Sequence, residues 1–375
     1  MENPFIYGES VKDKAFCNRK KEIAELLQDI NDGQNLILFS PRRYGKTSLI
    51  QNVLTQAEKN GIACIYVDLY PALNEIDFTN LLAKAIAHSV RGPVEKVLGW
   101  FRENLLKIRP KIVLEEDGTP GFTFAIDNKN DPTPHVEDLL NAVYNSLEKE
   151  NKKGVIVFDE FQQIGEFSTD RLERKLRTII QKHRHISYIF MGSKRHLIYE
   201  MFSNPARPFY RSAKHFPLGK IASEEFTDFI HDRFSSTGKK IDDEIVSKVL
   251  NITESHPYYT QLMCHVLWQR VDQEGTTDVD AVIHAILTRE NSAFQNIWDM
   301  LTNVQREALL AVANKNESDK LFSSEFLMRF NLSSASSFQK TLNSLMKKDI
   351  IDKDDGKWTI PDILLKLWLK KMTAQ

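Results

Sequence analysis

The sequence has little cysteine and no long hydrophobic run. Only three of its 375 residues are cysteine (Cys17, Cys64 and Cys264), and they form no CxxC pair, which argues against a disulfide framework and a zinc site. We expect them to be buried free thiols in a reducing compartment. No window approaches the roughly 18 consecutive apolar residues of a membrane-spanning helix.

The chain also has almost no net charge. Its 50 Lys and Arg against 51 Asp and Glu give a net charge of -1. The protein as a whole therefore lacks the positive field typical of proteins that bind nucleic acid or anionic membranes, although a local basic patch is compatible with this balance. The first residues, MENPFIYGES, have no basic segment followed by an apolar one, so no signal peptide is predicted. We expect a cytoplasmic protein with no membrane partner.

What is present is the composition of an ordinary globular protein, with 42% hydrophobic and 27% charged residues. Such a composition excludes a disordered chain, a collagen-like fibre and a coiled-coil rod. At about 150 residues per domain, the length predicts two or three domains.

Short apolar runs alternate with segments of helical periodicity in the first part of the chain. Each run is typical of a buried strand in a parallel sheet, and the alternation predicts an α/β domain over residues 1–219. One segment departs from this pattern: residues 111–127 flank the turn sequence GTPG and predict a β-hairpin outside the main sheet. The predicted strands of the main sheet are 35–40, 63–69, 154–161 and 187–193.

From about residue 220 the apolar strand patterns disappear. Residues 220–299 show helical patterns only, which predicts a small helical domain. Residues 300–375 predict three helices and then a strand pair around residues 352–358. Three helices followed by such a pair indicate a winged-helix domain.

The loop SPRRYGKTS (40–48) joins the first predicted strand to a helix, and it ends in the GK[ST] pattern of a phosphate-binding loop. Glycine lets the backbone approach phosphates closely, and the N–H groups at a helix start bind anions. Lys46 would reach the β- and γ-phosphates of ATP, and Thr47 would coordinate Mg²⁺. Ser40 stands where the motif has glycine, and the alternative is a chance GKT at a helix start. The predicted nucleotide-binding residues are Ser40, Pro41, Arg42, Arg43, Tyr44, Gly45, Lys46, Thr47 and Ser48.

An acidic motif, VIVFDE (155–160), ends another apolar strand. Ligands of open parallel sheets bind at this edge of the sheet. Asp159 would hold the metal, directly or through water, and Glu160 would orient and deprotonate the attacking water. An acidic pair after a strand is otherwise an ordinary solvated helix cap. The adjacent pair also favours hydrolysis over small-molecule kinase chemistry, which needs no water-activating glutamate.

Polar residues after the next predicted strand complete the candidate site. Ser193 would sense the γ-phosphate, or it caps the following helix. Arg207 and Arg211 lie in NPARPFYRSAKHF, and an arginine that meets a transferring phosphoryl group can raise hydrolysis by orders of magnitude. For Arg207 we favour an ordinary surface role, whereas Arg211 stays open between that role and catalysis, in cis or in trans. The predicted catalytic residues are Glu160, Lys46, Arg211 and Ser193.

These motifs resemble those of the archaeal-type ATPases of archaea and bacteria, P-loop proteins of the AAA+/STAND group with a C-terminal winged helix. The resemblance runs through nearly the whole chain, and the two phosphate motifs are its most specific part. FCNRKKEIAEL (16–26) resembles the family's first motif, which helps to shape the adenine pocket. This resemblance implies that Arg19 contributes to the nucleotide site, although Asn18 replaces the usual glycine.

The resemblance continues in the second half of the chain. ESHPYYTQL (254–262) is similar to the Gly-x-Pro-Tyr motif of the family's lid, with Ser255 in the place of glycine. It implies that Pro257 packs near the adenine. PDILLKLWL (361–369) resembles the family's C-terminal motif. The fold class predicted on this basis is α/β: a P-loop parallel-sheet AAA+-like ATPase domain, then a helical lid and a C-terminal winged-helix domain.

The sequence of the winged-helix segment does not decide whether this domain contacts DNA or protein. Residues 300–375 contain 12 basic and 9 acidic residues, a net charge of about +3, which is a weak bias beside dedicated DNA-binding domains. The wing is acidic and opposes a phosphate backbone, so a protein contact or a lock on the lid is the commoner alternative to DNA. The side chains that would meet DNA are Ser334, Ser337, Gln339, Lys340 and Asn343, and the acidic wing residues are Asp352, Asp354 and Asp355.

Three functions follow from these predictions. The first is a Mg²⁺-dependent ATPase that uses its nucleotide state, ATP or ADP, as a conformational switch toward a protein or DNA client. The second is a winged-helix DNA-binding regulator in which the nucleotide is mainly a structural ligand. The third, a small-molecule kinase, fits the acidic pair and the helical C-terminal half poorly. The client, the signal and any oligomeric state are not readable from the sequence.

Overall fold

The structure, a computed structural model, divides into two compact units, which are described separately. One unit comprises Lys12–Gly219, and the other comprises Lys220–Gln375 together with Met1–Val11. Within the described part of the chain, no helix is long and apolar enough to cross a membrane. The structure describes residues 2–9, 16–17, 19–90, 94–105, 109–114, 120–125, 133–273, 278–354 and 356–373.

The first unit is built on a parallel sheet of five strands in the order β2-β5-β6-β1-β7. The predicted α/β fold class is therefore confirmed. The last strand, β7, has no counterpart among the predicted strands, because it is short, lies at the sheet edge and buries only Phe216. The strands are β1 (Leu36–Phe39), β2 (Ala63–Asp68), β5 (Gly154–Asp159), β6 (Ile186–Gly192) and β7 (Lys214–Pro217).

Helices cover both faces of this sheet, which is why its central strands are buried throughout and mostly apolar. Successive side chains of β1 point to opposite faces: Leu36 and Leu38 pack with helices α1 and α2, whereas Ile37 and Phe39 pack with α3, α5, α6 and α7. Each fully buried side chain of this size contributes about 1.5–3 kcal/mol. The helices of this unit are α1 (Lys20–Asn31), α2 (Lys46–Lys59), α3 (Glu75–Ser89), α4 (Val94–Asn104), α5 (Thr133–Lys149), α6 (Arg171–Ile180) and α7 (Arg195–Ser203).

A separate antiparallel pair lies in the segment where the sequence predicts a hairpin. Strands β3 (Arg109–Leu114) and β4 (Pro120–Ala125) pair along their whole length. Phe122 and Phe124 of β4 are buried in the core on the α3 side of the main sheet. The predicted turn GTPG spans residues 118–121, and its last two residues begin β4. Residues 115–119 and the last two residues of the predicted hairpin, 126 and 127, lie outside the described residues.

The second unit begins with four helices: α8 (Ser223–Ser235), α9 (Asp243–Thr253), α10 (Pro257–Gln273) and α11 (Val279–Asp299). The N-terminal residues belong to this unit as well, since Phe5 is buried and its ring lies 5.2 Å from that of Phe234. The sequence alone placed these residues with the ATPase domain, because nothing in their pattern reveals a contact across more than 200 positions.

The C-terminal part has the predicted winged-helix architecture. Its last helix, α15, packs on the end of α11: Trp368 Nε1 donates to Asn291 Oδ1 at 2.8 Å, and its ring lies 5.9 Å from that of Phe294. The predicted division between residues 299 and 300 stays a prediction. The elements are α12 (Asn303–Ala313), α13 (Ser324–Arg329), α14 (Ala335–Lys347), β8 (Asp352–Asp354), β9 (Lys357–Thr359) and α15 (Ile363–Thr373).

Candidate functional site

Three neighbouring strands bring three of the four predicted catalytic residues, Lys46, Glu160 and Ser193, to one edge of the sheet. Because β5, β6 and β1 are parallel, their C-terminal ends meet at that edge. The loop 40–45 follows β1, Glu160 follows β5 and Ser193 follows β6. Since β6 lies between β5 and β1, the serine is placed between the acidic pair and the phosphate-loop candidate. The sequence predicts each motif, and the strand order brings them together.

The loop after β1 has the backbone of an anion-binding turn. Gly45 has φ +84° and directly precedes α2, which begins at Lys46. A Cβ at Gly45 would meet no atom, so it is the left-handed backbone, rather than lack of space, that favours glycine there. The first N–H groups of a helix have no partner within the helix and attract anions. The loop is therefore suited to bind phosphate.

Lys46 is buried at the base of this loop. Its Nζ donates to Ser40 O at 3.0 Å, to Pro41 O at 3.2 Å and to Ser40 Oγ at 3.3 Å. Burial lowers the pKa of this ammonium to about 8, although the carboxylates of Glu160 and Asp159 favour its charged form. The three oxygens that accept from this ammonium are neutral, so negatively charged phosphate oxygens can replace them as its hydrogen-bond acceptors. Ser40, the departure from the motif, thus holds the lysine.

Asp159 is held by hydrogen bonds to both of its carboxylate oxygens. It is buried, its Oδ2 accepts from the Tyr66 hydroxyl at 2.5 Å, and its Oδ1 accepts from the backbone N–H of Glu160 at 2.9 Å. Thr47 Oγ1 lies 3.5 Å from the same Oδ2. Burial raises the pKa of Asp159, and the hydrogen bond from Tyr66 opposes that rise.

The donor set fits a magnesium ion only in part. Hydroxyl and carboxylate oxygens are its preferred protein ligands, and Thr47 and Asp159 supply one of each. Among the described residues, no group of three or more His, Cys, Asp and Glu side chains could hold a metal. Mg²⁺ in such sites usually keeps several waters and binds substrate phosphates as well. The pair is therefore suited to a metal that arrives with a nucleotide.

Tyr66 is a site residue that the sequence analysis missed. It lies on β2 opposite Val157 of β5, one strand away from the acidic pair. Burial and the neighbouring Asp159 raise its pKa, so the hydroxyl stays protonated and donates. The sequence signal for Tyr66 is a hydroxyl-bearing side chain within a mostly apolar strand. Its contact with Asp159 can be inferred only once β2 and β5 are known to be neighbours.

We expect Tyr66→Phe to weaken ATP binding only when Mg²⁺ is present. The change removes the donor that orients Asp159, and one hydrogen bond to a charged group corresponds to about a tenfold loss of affinity. Titration of a fluorescent ATP analogue with Mg²⁺ and with EDTA would measure it. Tyr188→Phe is the matched control, since that buried hydroxyl bonds to His183 Nδ1 instead. Equal weakening with and without Mg²⁺ would contradict the assignment.

Glu160 and Ser193, predicted independently, are hydrogen-bonded to each other. Ser193 Oγ donates to Glu160 Oε2 at 2.9 Å, and the side-chain amide of Gln162 donates to the same oxygen. Glu160 has φ +52°, a left-handed conformation that is strained for a residue other than glycine. A side chain at Gly192 would collide with Gln162, so this glycine makes room for the network. The sequence analysis missed Gln162.

The two arginines have different surroundings. Arg207 Nη2 lies 2.7 Å from Glu173 Oε2, and Glu173 is only 2% exposed, so Arg207 neutralises a buried acid of α6. Arg207 thus pairs with a buried acid while it stays partly exposed, and the preference for a role outside catalysis stays a prediction. Arg211 is exposed, has φ +51° and lies over the ring of Tyr210 at 5.3 Å. Its catalytic role stays a prediction.

The residues assigned by resemblance lie in both units. Arg19 is 2% exposed and donates to Tyr44 O and Gly219 O within the first unit. Pro257 begins α10 in the second unit, and its contact with adenine stays a prediction. Ser255 has φ +52°, a backbone conformation that glycine adopts more readily than serine. Asn18 lies outside the described residues.

Comparison with family models identifies two domains in the chain. A family model described as an ATPase domain predominantly from Archaea matches residues 16–263, and one described as a probable winged helix domain matches residues 292–371. No curated protein matches the chain significantly.

Two solved structures from archaea share the fold. A Walker-type ATPase of Pyrococcus abyssi has 14% identity and a TM-score of 0.67, over 98% of this chain and 99% of that chain. The Aeropyrum pernix ORC2 protein, solved as ADPNP-ADP complexes, has 14% identity and a TM-score of 0.51, over 100% of this chain and 98% of that chain. Because the first family model covers more than half of the residues, the chain belongs to the family of ATPase domains found predominantly in Archaea, and it carries a C-terminal winged-helix domain.

Proposed function

We propose that this protein binds ATP and ADP with Mg²⁺ and hydrolyses ATP. The observation that carries the proposal is the meeting of three sets of groups at one sheet edge: the loop with Lys46, the pair Thr47 and Asp159, and the pair Glu160 and Ser193. Each set matches one requirement of phosphoryl transfer to water, namely phosphate binding, metal binding and water activation.

Each group of residues has one role in this reaction. The N–H groups at the start of α2 and the Lys46 ammonium bind the phosphates, and Thr47 and Asp159 hold the metal. When bound, Mg²⁺ neutralises charge on the phosphate oxygens. Glu160 accepts the proton of the attacking water. Its Oε2 is fixed by Ser193 and Gln162, which leaves Oε1 to take that proton.

The nucleotide state would act as a switch toward a client of the winged helix. A protein client is our first choice, because three of the five predicted DNA-contacting side chains make hydrogen bonds within this segment and the wing is acidic. Ser334 caps the helix by accepting from the N–H of Ser337 at 3.2 Å, and Gln339 Nε2 donates to Asn343 Oδ1 at 3.2 Å. Self-association is a further way in which such a switch would act.

The second candidate is a DNA-binding regulator in which the nucleotide is a structural ligand. It is favoured by one observation, the exposed basic and amide side chains of Lys340, Asn343 and Lys347 on α14. Such a stripe can meet phosphates and base edges.

Phosphate release from ATP, measured with Mg²⁺ and with EDTA, each with and without duplex DNA, tests both candidates. We expect release that requires Mg²⁺ and does not require DNA. Binding of ADP and DNA without any phosphate release would favour the regulator. Binding of neither nucleotide would overturn the proposal.

A further inference from the structure

The chain passes from the first unit to the second at the peptide between Gly219 and Lys220, and the residue on each side is held by a charged side chain. Within the first unit, Arg19 Nη2 donates to Gly219 O at 2.8 Å. Within the second unit, Lys220 Nζ donates to Glu254 Oε2 at 2.7 Å. At this crossing, Gly219 is therefore held within the first unit by a buried arginine, and Lys220 is paired within the second unit with a partly buried glutamate.

Arg19 connects the crossing to the phosphate loop. The nitrogen that donates to Gly219 O also donates to Tyr44 O at 3.3 Å, and the other terminal nitrogen pairs with Glu22 at 2.9 Å. The side chain is 2% exposed, and its residue has φ +66° immediately before α1. One nitrogen of this planar guanidinium donates to both carbonyls and so fixes their positions relative to each other. The ammonium of a lysine, a single point charge, would hold the two carbonyls less well.

Glu254 makes the matching connection in the second unit. Its other oxygen, Oε1, accepts from Lys366 of α15 at 2.8 Å, so one carboxylate joins the crossing to the last helix of the winged-helix domain. Burial alone would raise the pKa of Glu254, but the hydrogen bonds from Lys220 and Lys366 lower it to about 2. The residue also has φ +51°, and it lies three positions before Pro257.

We infer that Arg19 is a positioning residue that transmits the occupancy of the phosphate loop to the crossing at Gly219 and Lys220, with Glu254 continuing the connection to α15. The inference rests on the proposed function, since it requires that nucleotide binds at the loop. It assigns Arg19 a role distinct from shaping the adenine pocket.

The loop has a reason to respond to phosphate. Lys46 Nζ is hydrogen-bonded to the carbonyls of Ser40 and Pro41, which lie in the same loop as Tyr44. Phosphate oxygens that take this ammonium release both carbonyls, so the loop backbone must readjust. Because Tyr44 O and Gly219 O share one nitrogen of Arg19, a change at the first carbonyl alters the hydrogen bond at the second.

Hydrogen–deuterium exchange of the full chain, with and without ADP and Mg²⁺, tests this connection. Two regions are followed, the loop 40–48 and the crossing 217–222. In the parent protein we expect ADP to slow exchange in both, by about tenfold at the crossing, the usual scale of coupling between sites. In Arg19→Met the loop is still protected by ADP, whereas the crossing no longer responds.

Three further variants make the result specific. Arg19→Lys keeps the charge and the fold but cannot span the two carbonyls as well, so it should respond weakly at the crossing. Glu22→Gln leaves both carbonyl contacts and should behave like the parent protein. Glu254→Gln should keep the response at the loop and lose any ADP-dependent protection of residues 363–371.

The outcomes separate the two proposals. If ADP binds and Arg19→Met or Arg19→Lys still shows the full response at the crossing, the role of Arg19 is wrong while the proposed function stands. The same conclusion follows if ADP binds to the parent protein and the crossing does not respond. If the parent protein does not bind ADP in a direct titration, the proposed function fails and this inference fails with it.

Discussion

Lys46→Ala is expected to lower the affinity for ATP by about 10- to 150-fold while the chain stays folded. The ammonium is buried, and its hydrogen bonds go to the carbonyls of Ser40 and Pro41 and the hydroxyl of Ser40. A charge-assisted hydrogen bond to phosphate is worth about 1.5–3 kcal/mol, which corresponds to that range of affinity. Because burial disfavours the charged form of this lysine, its removal should not lower the melting temperature appreciably.

Titration with a fluorescent ATP analogue measures the affinity, and a thermal melt followed by circular dichroism checks the fold. Lys59→Ala is the matched control, because Lys59 is exposed at the other end of the same helix α2. A folded Lys46→Ala variant that binds ATP like the parent protein would show that the loop 40–48 is not the phosphate site.

The elements nearest to this lysine are also the ones that the sequence predicts best. The strands β1 and β5, predicted at 35–40 and 154–161, are buried throughout and mostly apolar because helices cover both faces of the sheet, and such runs are distinctive. The GKT triplet and the acidic pair are local motifs, so their chemistry can be read without knowing the fold. By contrast β7 is short, lies at an edge and buries one side chain, so it leaves no comparable pattern.

The supporting residues could not be predicted, because their roles depend on which strands are neighbours. Tyr66 reaches Asp159 only because β2 pairs with β5. Ser193 meets Glu160 because β6 lies between β5 and β1. Arg19 binds carbonyls that are 25 and 200 positions away in the chain, and resemblance to a family motif suggested a different role for it.

Glu160→Gln is expected to lower the turnover of ATP by about 10²- to 10⁴-fold, the usual share of a general base. The amide keeps the size of the side chain but removes the basic oxygen. Neither Thr47 nor Lys46 is hydrogen-bonded to Glu160 in the described contacts, so the groups that bind nucleotide stay in place. ATP affinity should therefore change by no more than a few-fold, and the variant should accumulate the ATP-bound form.

Asp159→Asn provides the contrast. Asp159 Oδ2 accepts a hydrogen bond from the Tyr66 hydroxyl and lies 3.5 Å from Thr47 Oγ1. The change should therefore weaken the dependence of ATP binding on Mg²⁺. Glu166→Gln is the control for a carboxylate lost nearby in the chain, since Glu166 is half-exposed and pairs with Lys194 at 3.2 Å. It should leave both turnover and binding unchanged.

The decisive measurement is kcat at saturating Mg²⁺ together with the nucleotide affinity in Mg²⁺ and in EDTA, for the three variants. A selective loss of kcat in Glu160→Gln, beside a loss of Mg²⁺-dependent binding in Asp159→Asn, separates the base from the metal ligand. Ser193→Ala should reduce kcat by a smaller factor, because it removes one of the donors that fix Oε2 and leaves the basic oxygen. If Glu160→Gln hydrolyses ATP like the parent protein, Glu160 is not the base, and another group must activate the water.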